Sequence, residues 1–531
     1  MFMLTALSAI ILPFIFLVVM RLPAKKGMLY SAVLFIFLAG LVWQMELIVL
    51  SASILEGFHQ AVTILFILLG AIVLLNTLKR TGAVVRINQG FRRVSGDMRV
   101  QAVLTAFLFG SLLEGAAGFG TPAAVTGPLL VALGFAPMAA ASLALIADST
   151  AVSFGAVGTP VIIGLGGVPG ADAALFQETA VRITAMDIGA GTFIPLLLIF
   201  VLTFFADRKN ALKDTREMVP WALLTGISYT GSALLYAILF GPEFVAILAA
   251  LTALAVAAAT ASYGILMPKT EWKKALDQND VQEEETPDMS LLAAWSPYFI
   301  VIGLLLLTRI VEPVQEFAQT AVDLSWTTIL GVETASSTWQ VLYSPGAVLL
   351  LAAVLSVFVQ RKKLAVVKEA VMESRKMVTG AALALFPTLA LVNVFINSGV
   401  NAGDLVSMPE HIAVMLASGL GSVWHLAAPF LGLLGSFITG SAMVSGLTFA
   451  PIQTSVASAA GLDQTLVLAQ QTAGAAAGNM ISVHNVVAAA AVVGLADKEG
   501  DIIRRTVFPA LGYAALIGIA GSILAGAAGL F

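Results

Sequence analysis

GSLLEGAAGFGTPAAVTGP, residues 110–128, is too apolar for a solvated loop and too rich in glycine for an uninterrupted helix. Two short apolar arms, together spanning 103–133, flank its centre EGAAGFGTP. A second pair spans 137–167 around DSTAVSFGAVGTP (148–160). Clustered Gly, Ser, Thr and Pro at mid-depth imply broken backbone, whose amides and carbonyls must be satisfied by protein or water rather than lipid. The stretch 103–133 therefore reads as a re-entrant hairpin and 137–167 as a discontinuous helix. Toward the C-terminus the pattern returns, with a hairpin over 427–460 around ITGSAMVSG and a broken helix over 464–495 around QQTAGAAAGNMISVHN. A competing reading keeps all four as full spans whose glycines permit close helix packing.

The rest of the chain supplies the bilayer context. Of 531 residues, 59% are hydrophobic and 11% charged, with mean hydropathy +0.97, against roughly 25% charged in soluble domains. A water-soluble globule is excluded. The apolar run Leu4–Met20 has no positive residue before it, and Arg21, Lys25 and Lys26 follow, so it reads as a first membrane helix rather than a leader. Zero cysteines exclude disulfides and thiolate metal sites, and His59, His411, His425 and His484 lack metal-ligand spacing. No cofactor is expected, and without a basic stripe neither is nucleic-acid binding.

Basic residues mark cytoplasmic loops. They cluster at 21–26, 79–99, 207–217 and 361–376, whereas the gaps 46–56, 168–187, 311–340 and 397–410 are acidic or nearly free of base. This alternation places the first set inside, the second outside, and both termini outside. The acidic stretch Lys269–Asp288, with EEETPD, reads as a solvated cytoplasmic connector.

An internal repeat sharpens the architecture. LLNTLKRTG (74–82) matches LVNVFINSG (391–399), GSLLEGAA (110–117) matches GSFITGSA (435–442), and ADSTA (147–151) echoes AQQTA (469–473), at offsets of 317, 325 and 322. A basic loop follows the first copy and an acidic one the second, so the copies are expected to be inverted. Inverted repeats around a midplane site are a plan of secondary transporters. The expected fold is an all-α polytopic membrane protein: a first repeat over 1–206, a connector over 207–290 with two membrane helices, and a second repeat over 291–531. About twelve crossings are expected, with two re-entrant hairpins and two discontinuous helices.

Within 101–167 the only ionisable residues are Glu114 and Asp148. An intramembrane acid is costly and functional by default, and burial away from cations favours its neutral form. Both are candidate proton carriers; alternatively one caps exposed amides at a helix end, as Asp148 before Ser149 and Thr150 would. His484 is either a third member of a proton relay or a histidine satisfied by a neighbouring carbonyl. Half-helix N-termini attract carboxylates, and Pro122 and Pro160 stand where such half-helices would start. A small organic anion would be held by amides and side chains of Gly120, Thr121, Ser149, Thr150, Ser153, Thr439, Gly440, Ser441, Ser445, Gln471, Thr472 and Asn479. About half of the hydroxyls are expected to bond their own helix instead. A protonated Glu114 would admit an anion that an ionised one repels, which couples proton to substrate. Asp148, Gln471 and Asn479 could instead ligate sodium, giving sodium-coupled transport of a di- or tricarboxylate as the alternative.

GFGTPA (118–123) has the spacing of a dinucleotide fingerprint but no preceding strand and no acid about twenty positions on; it is a chance match. GxSxG, HExxH and P-loop motifs are absent, so an enzyme is not expected.

The blocks EGAAGFGTPAAVTGPLLVALGF (114–135), DSTAVSFGAVGTP (148–160) and GNMISVHNVVAAAAVVGL (478–495) resemble the bacterial lactate permease family. That resemblance, over almost the whole chain, implies proton symport of L-lactate, with D-lactate and glycolate as related substrates, in the bacterial inner membrane. It also implies a distant relation to the ion transporter superfamily, in which substrate and cation sit at paired hairpin tips and broken helices and homodimers are common. No residue assignment carries over with it.

Overall fold

The computed structural model describes residues 1–20, 22–118, 120–168, 170–274, 288–420 and 423–528. Most of the acidic connector, 275–287, lies outside the described residues. Among them the chain is helical, with strand-like pairing confined to two isolated bridges, Asp323 to Gln340 and Trp326 to Ser337. Seven helices are long and apolar enough to cross a bilayer, or nine if each of two sharply bent pairs is one span. Four shorter apolar helices of 10–17 residues add to these. Among the described residues, several of the expected spans are thus built from half-length pieces. Large apolar side chains such as Leu34, Phe37, Phe240 and Phe358 point outward, as a lipid-facing surface requires. This is a multi-pass helical membrane protein.

Two of the longest helices form a brace. Leu47–Thr81, 35 residues, packs along Ala365–Ile396, 32 residues. At 1.5 Å per residue each is about 50 Å long, well beyond the roughly 30 Å hydrocarbon layer. They run antiparallel, since Asn393 donates to Gln60 at 2.9 Å while Asn76 donates to Ser374 at 3.2 Å. Gly57 lets the backbones touch near Leu389 and Ala390. Within 207–290, the helices Val219–Phe240 and Val245–Ser262 are long and apolar enough to cross a bilayer. Arg99, expected in a basic loop, is fully buried with Asp97 at 2.6 Å, and Trp272 and Lys274 both donate to Asp214 beside it.

Two acidic gaps between apolar runs prove largely helical, with buried acids in them. Glu56 lies inside the helix Leu47–Thr81, buried and accepting from Asn397 at 2.8 Å. Residues 168–187 are largely the helix Ala173–Gly189, which with Gly191–Ala206 forms a pair bent by 47°. Of its three acids, Asp172 caps the helix, Glu178 is exposed and Asp187 is buried, so a charge count alone could not tell the helix from a loop. The acidic segment 311–340 is partly ordered by the helix Glu312–Thr320 and lies over His59, whose ring nitrogens meet Ser337 at 2.8 Å and the Leu324 carbonyl at 3.0 Å.

The interrupted segments are all present. The first helix–tip–helix unit has an arm over 98–117, containing a wide-turn stretch at Val103–Phe109, then Gly118 and Gly120 at φ 62° and 71°, then Thr121–Ala132. Trp424–Thr439, Gly440 at φ 75°, and Ala442–Ala460 make the second. Pro137–Ala147 ends at Asp148 and resumes as a tight turn at Thr150–Phe154, bent by 46°. Beyond Gly158 only one further helical turn forms before the glycine-rich turns of 163–168, so this second arm is shorter than 137–167 implied. Gln464–Asn479 and Val483–Val492 are parted by a break at 480–482. Gly474 and Gly478, one turn apart, bring Gln464–Asn479 onto the carbonyls of Pro429 and Leu433, the close approach that small residues four apart allow.

Candidate functional site

The breaks and tips converge. Asp148 stands where Pro137–Ala147 runs out of helix, and Glu114 one turn before the end of its arm. Both are buried, 4% and 2% exposed, and their carboxyls face each other within hydrogen-bonding reach. Glu114 Oε1 lies against Gly155, where any side chain would displace it. Asn479, 331 residues away at the end of the other broken helix, donates to Asp148 Oδ2 at 2.9 Å. Asn485 in turn donates to Asn479 Oδ1 at 2.5 Å and packs under Gly120. Glu114 Oε2 and Asp148 Oδ1 have no hydrogen-bond partner among the described residues. Two adjacent buried carboxyls without a facing cation are unfavourable as a pair of anions, and one proton shared between them removes that conflict.

Two small cavities flank this point, each with a volume of about 20 Å³. Glu114, Gly118, Thr159, Gly440, Ser441 and Asn479 border one; Gly120, His484 and Asn485 border the other. Each has room for about one water. Both glycines are needed for two reasons. Their φ is positive, and a β-carbon would strike Asn485 from Gly120 or His484 from Gly440.

The other expected residues divide. Thr439 donates to the Gly435 carbonyl at 2.8 Å, Thr472 to Leu468 at 3.0 Å and Ser445 to Gly432 at 2.9 Å. Gln471 is held by Gln453 and Ser445 at 2.8 and 3.1 Å. Thr439 and Thr472 thus serve their own helices, while Ser445 and Gln471 pack Ala442–Ala460 against Trp424–Thr439 and Gln464–Asn479. Ser441 caps Ala442–Ala460 through Val444 N at 3.4 Å, yet borders the cavity. Ser149 makes a long contact, 3.5 Å, to the Ala147 carbonyl. Ser153 is buried without a partner among the described residues. Thr150 lies beside the Tyr229 hydroxyl without closing a hydrogen bond of good geometry. His484 is buried against Gly440. The side chain of Thr121 lies outside the described residues. Asn485, Gly155, Thr159 and Tyr229 were not singled out from sequence. Asn485 alone carried a signal, as a second amide beside His484 in an otherwise apolar run.

A helical membrane protein with a buried carboxyl pair where two broken helices and two helix tips meet is built to handle a small polar solute across a bilayer. The L-lactate permease family model matches residues 2–527. Three similar curated proteins are an L-lactate permease of Bacillus subtilis, 29% identical, covering 95% of this chain and 93% of its own; a glycolate permease of Escherichia coli, 29% identical, covering 97% and 94%; and an L-lactate permease of Halalkalibacterium halodurans, 28% identical, covering 96% and 94%. The chain belongs to the L-lactate permease family, whose members are transporters and not enzymes.

Proposed function

We propose that the protein is a proton-coupled symporter of L-lactate and related small 2-hydroxymonocarboxylates, D-lactate and glycolate among them, in the bacterial inner membrane, with both termini outside. The observation that carries this reading is the Glu114–Asp148 pair, which no cation faces among the described residues and which Asn479 ties to the second broken helix. A shared proton lowers the negative charge that an entering carboxylate meets, so proton and anion load together, and loss of either favours release of the other. The names of the relatives supply the substrate class. The carboxylate would approach the amide ends of Thr121–Ala132 and Ala442–Ala460, where backbone N–H groups lack helical partners. Inverted repeats over 1–206 and 291–531 are part of the proposal. The antiparallel packing of Leu47–Thr81 on Ala365–Ile396, whose C-terminal ends run into the matched segments 74–82 and 391–399, supports them.

The test is uptake of labelled lactate into proteoliposomes under an imposed pH gradient, repeated with Glu114→Gln. Gradient-driven accumulation of unchanged lactate, lost in the variant, is expected. Uptake indifferent to the pH gradient, and instead abolished by collapsing a sodium gradient, would replace the reading with sodium coupling. Wild-type accumulation by Glu114→Gln would remove that residue from the mechanism.

A further inference from the structure

Asp187 is buried, 3% exposed, near the bend between Ala173–Gly189 and Gly191–Ala206. Tyr513, from the helix Glu499–Ala528, donates to its Oδ1 at 2.6 Å. Nothing in the carboxyl pair's own geometry requires this second acid, and a buried carboxylate with a single phenol donor is an expensive feature to keep. Its surroundings point toward the pair. Around Gly191, the Asp187 carboxyl lies beside the methyl of Thr150, which brings that residue, though not its hydroxyl directly, next to the acid. Thr150 and Ser111 both lie beside the Tyr229 hydroxyl, neither with a hydrogen bond of good geometry. Ser111 is one turn before Glu114, and Thr150 two residues after Asp148. Buried polar atoms without partners call for water or for a passing proton.

We infer that Asp187 and Tyr513 form a second proton-holding site, which exchanges its proton with the Glu114–Asp148 pair through the hydroxyls of Thr150, Tyr229 and Ser111. The inference rests on the proton-coupled reading. In the step proposed, the proton leaves the Asp187 carboxyl. Each intervening hydroxyl accepts one proton on a lone pair and passes its own onward, and the last reaches an anionic oxygen of the pair. Asp187 remains as a carboxylate accepting from Tyr513, and later regains a proton from water. Among the described residues, the titratable groups facing Asp187 are Tyr513 and Tyr229, with Glu114 beyond Tyr229. Arg182, on its own helix, is taken up by Glu178 and Asp463, both at 2.6 Å. The neighbouring helix Gln464–Asn479 and the segment Gly155–Ile162 carry no charge.

The experiment compares Asp187→Asn and Tyr513→Phe with wild type in proteoliposomes, measuring pH-gradient-driven lactate accumulation and lactate–lactate exchange across equal pH. Exchange returns the loaded carrier without net proton release, so it isolates substrate binding from proton transfer. For Asp187→Asn, accumulation is expected to fall at least about tenfold while exchange stays within about twofold. Tyr513→Phe removes a donor that favours the carboxylate, so the pH of half-maximal net uptake is expected to rise by about one unit. Wild-type accumulation in Asp187→Asn, or parallel loss of both activities, overturns the inference. So does an unaltered pH profile in Tyr513→Phe, which decides the matter if Asp187→Asn does not fold. If wild-type uptake itself ignores the pH gradient, the proton-coupled reading fails first, and that result is distinct from any behaviour of the variants.

Discussion

Asn479→Ala tests whether the two halves are joined through chemistry or only through packing. Asn479 is the sole hydrogen-bond donor to Asp148 among the described residues, at 2.9 Å, and the other carboxylate oxygen has no partner. A hydrogen bond to a charged group is worth about 1.5–3 kcal/mol, and its loss inside a low-dielectric site is felt in full. Taking about 2 kcal/mol, the ionised form of Asp148 becomes about 30-fold less accessible. The proton is then held more tightly, so net uptake at neutral pH should fall by about that factor and recover partly when the vesicle interior is made alkaline. The assay is initial-rate uptake of labelled lactate over a series of internal pH values. Combining the change with Asp148→Asn makes it specific: with no carboxylate to support, Asn479→Ala should alter residual exchange by less than about threefold. Near-wild-type uptake by the single variant, or an equal loss in both backgrounds, would show that Asn479 does not act through Asp148.

Further outcomes follow from other sites. Gly440→Ala and Gly120→Ala each place a side chain at positive φ, a cost of about 1–2 kcal/mol before the collision with His484 or Asn485; both should lower the apparent melting temperature and the yield of monodisperse protein. Gly512, in a helix with nothing within 4 Å of its would-be β-carbon, should tolerate alanine with a gain of about 0.5–1 kcal/mol. Arg99→Ala strands the buried Asp97 carboxylate, and a loss of about 3–5 kcal/mol should appear as thermal destabilisation that added salt does not mimic in the wild type. Asp207, just beyond the helix Ile194–Ala206, is held at about 2 by its hydrogen bond from Asn210 and its pairing with Lys274. A depressed carboxyl contributes its stability fully above its ordinary value of 3.8 and loses it as pH falls through about 2. The melting-temperature difference between wild type and Lys274→Gln should therefore be flat above about pH 5 and shrink only in stronger acid.

The parts of the site legible in the sequence were those announced by local contrast. Glu114 and Asp148 stood out as lone acids in long apolar text, and the glycine clusters marked both tips and both breaks. That some hydroxyls would serve their own helices was also readable, since Ser and Thr in helices bond the preceding turn; Thr439 and Thr472 do so here, fewer than the half expected. What local contrast hides is which distant residues meet. Asn479 looked like one polar residue among many until it was found on Asp148. Glu56 and Asp187 were misread for a related reason. An acid near the end of an apolar run looks the same in text whether it faces water or is buried under a neighbour's amide or phenol, and Asn397 and Tyr513 lie hundreds of positions away.

The one-water cavities beside the carboxyl pair bear on what an idle carrier costs its cell. A membrane that stores work as an ion gradient is short-circuited by any continuous wet path, and acids at the heart of a protein invite one. With Gly120 packed against Asn485 and Gly440 against His484, each space beside the pair holds about one water, too little for a file of them. Insulation is thereby built into the same contacts that would have to part for cargo to enter.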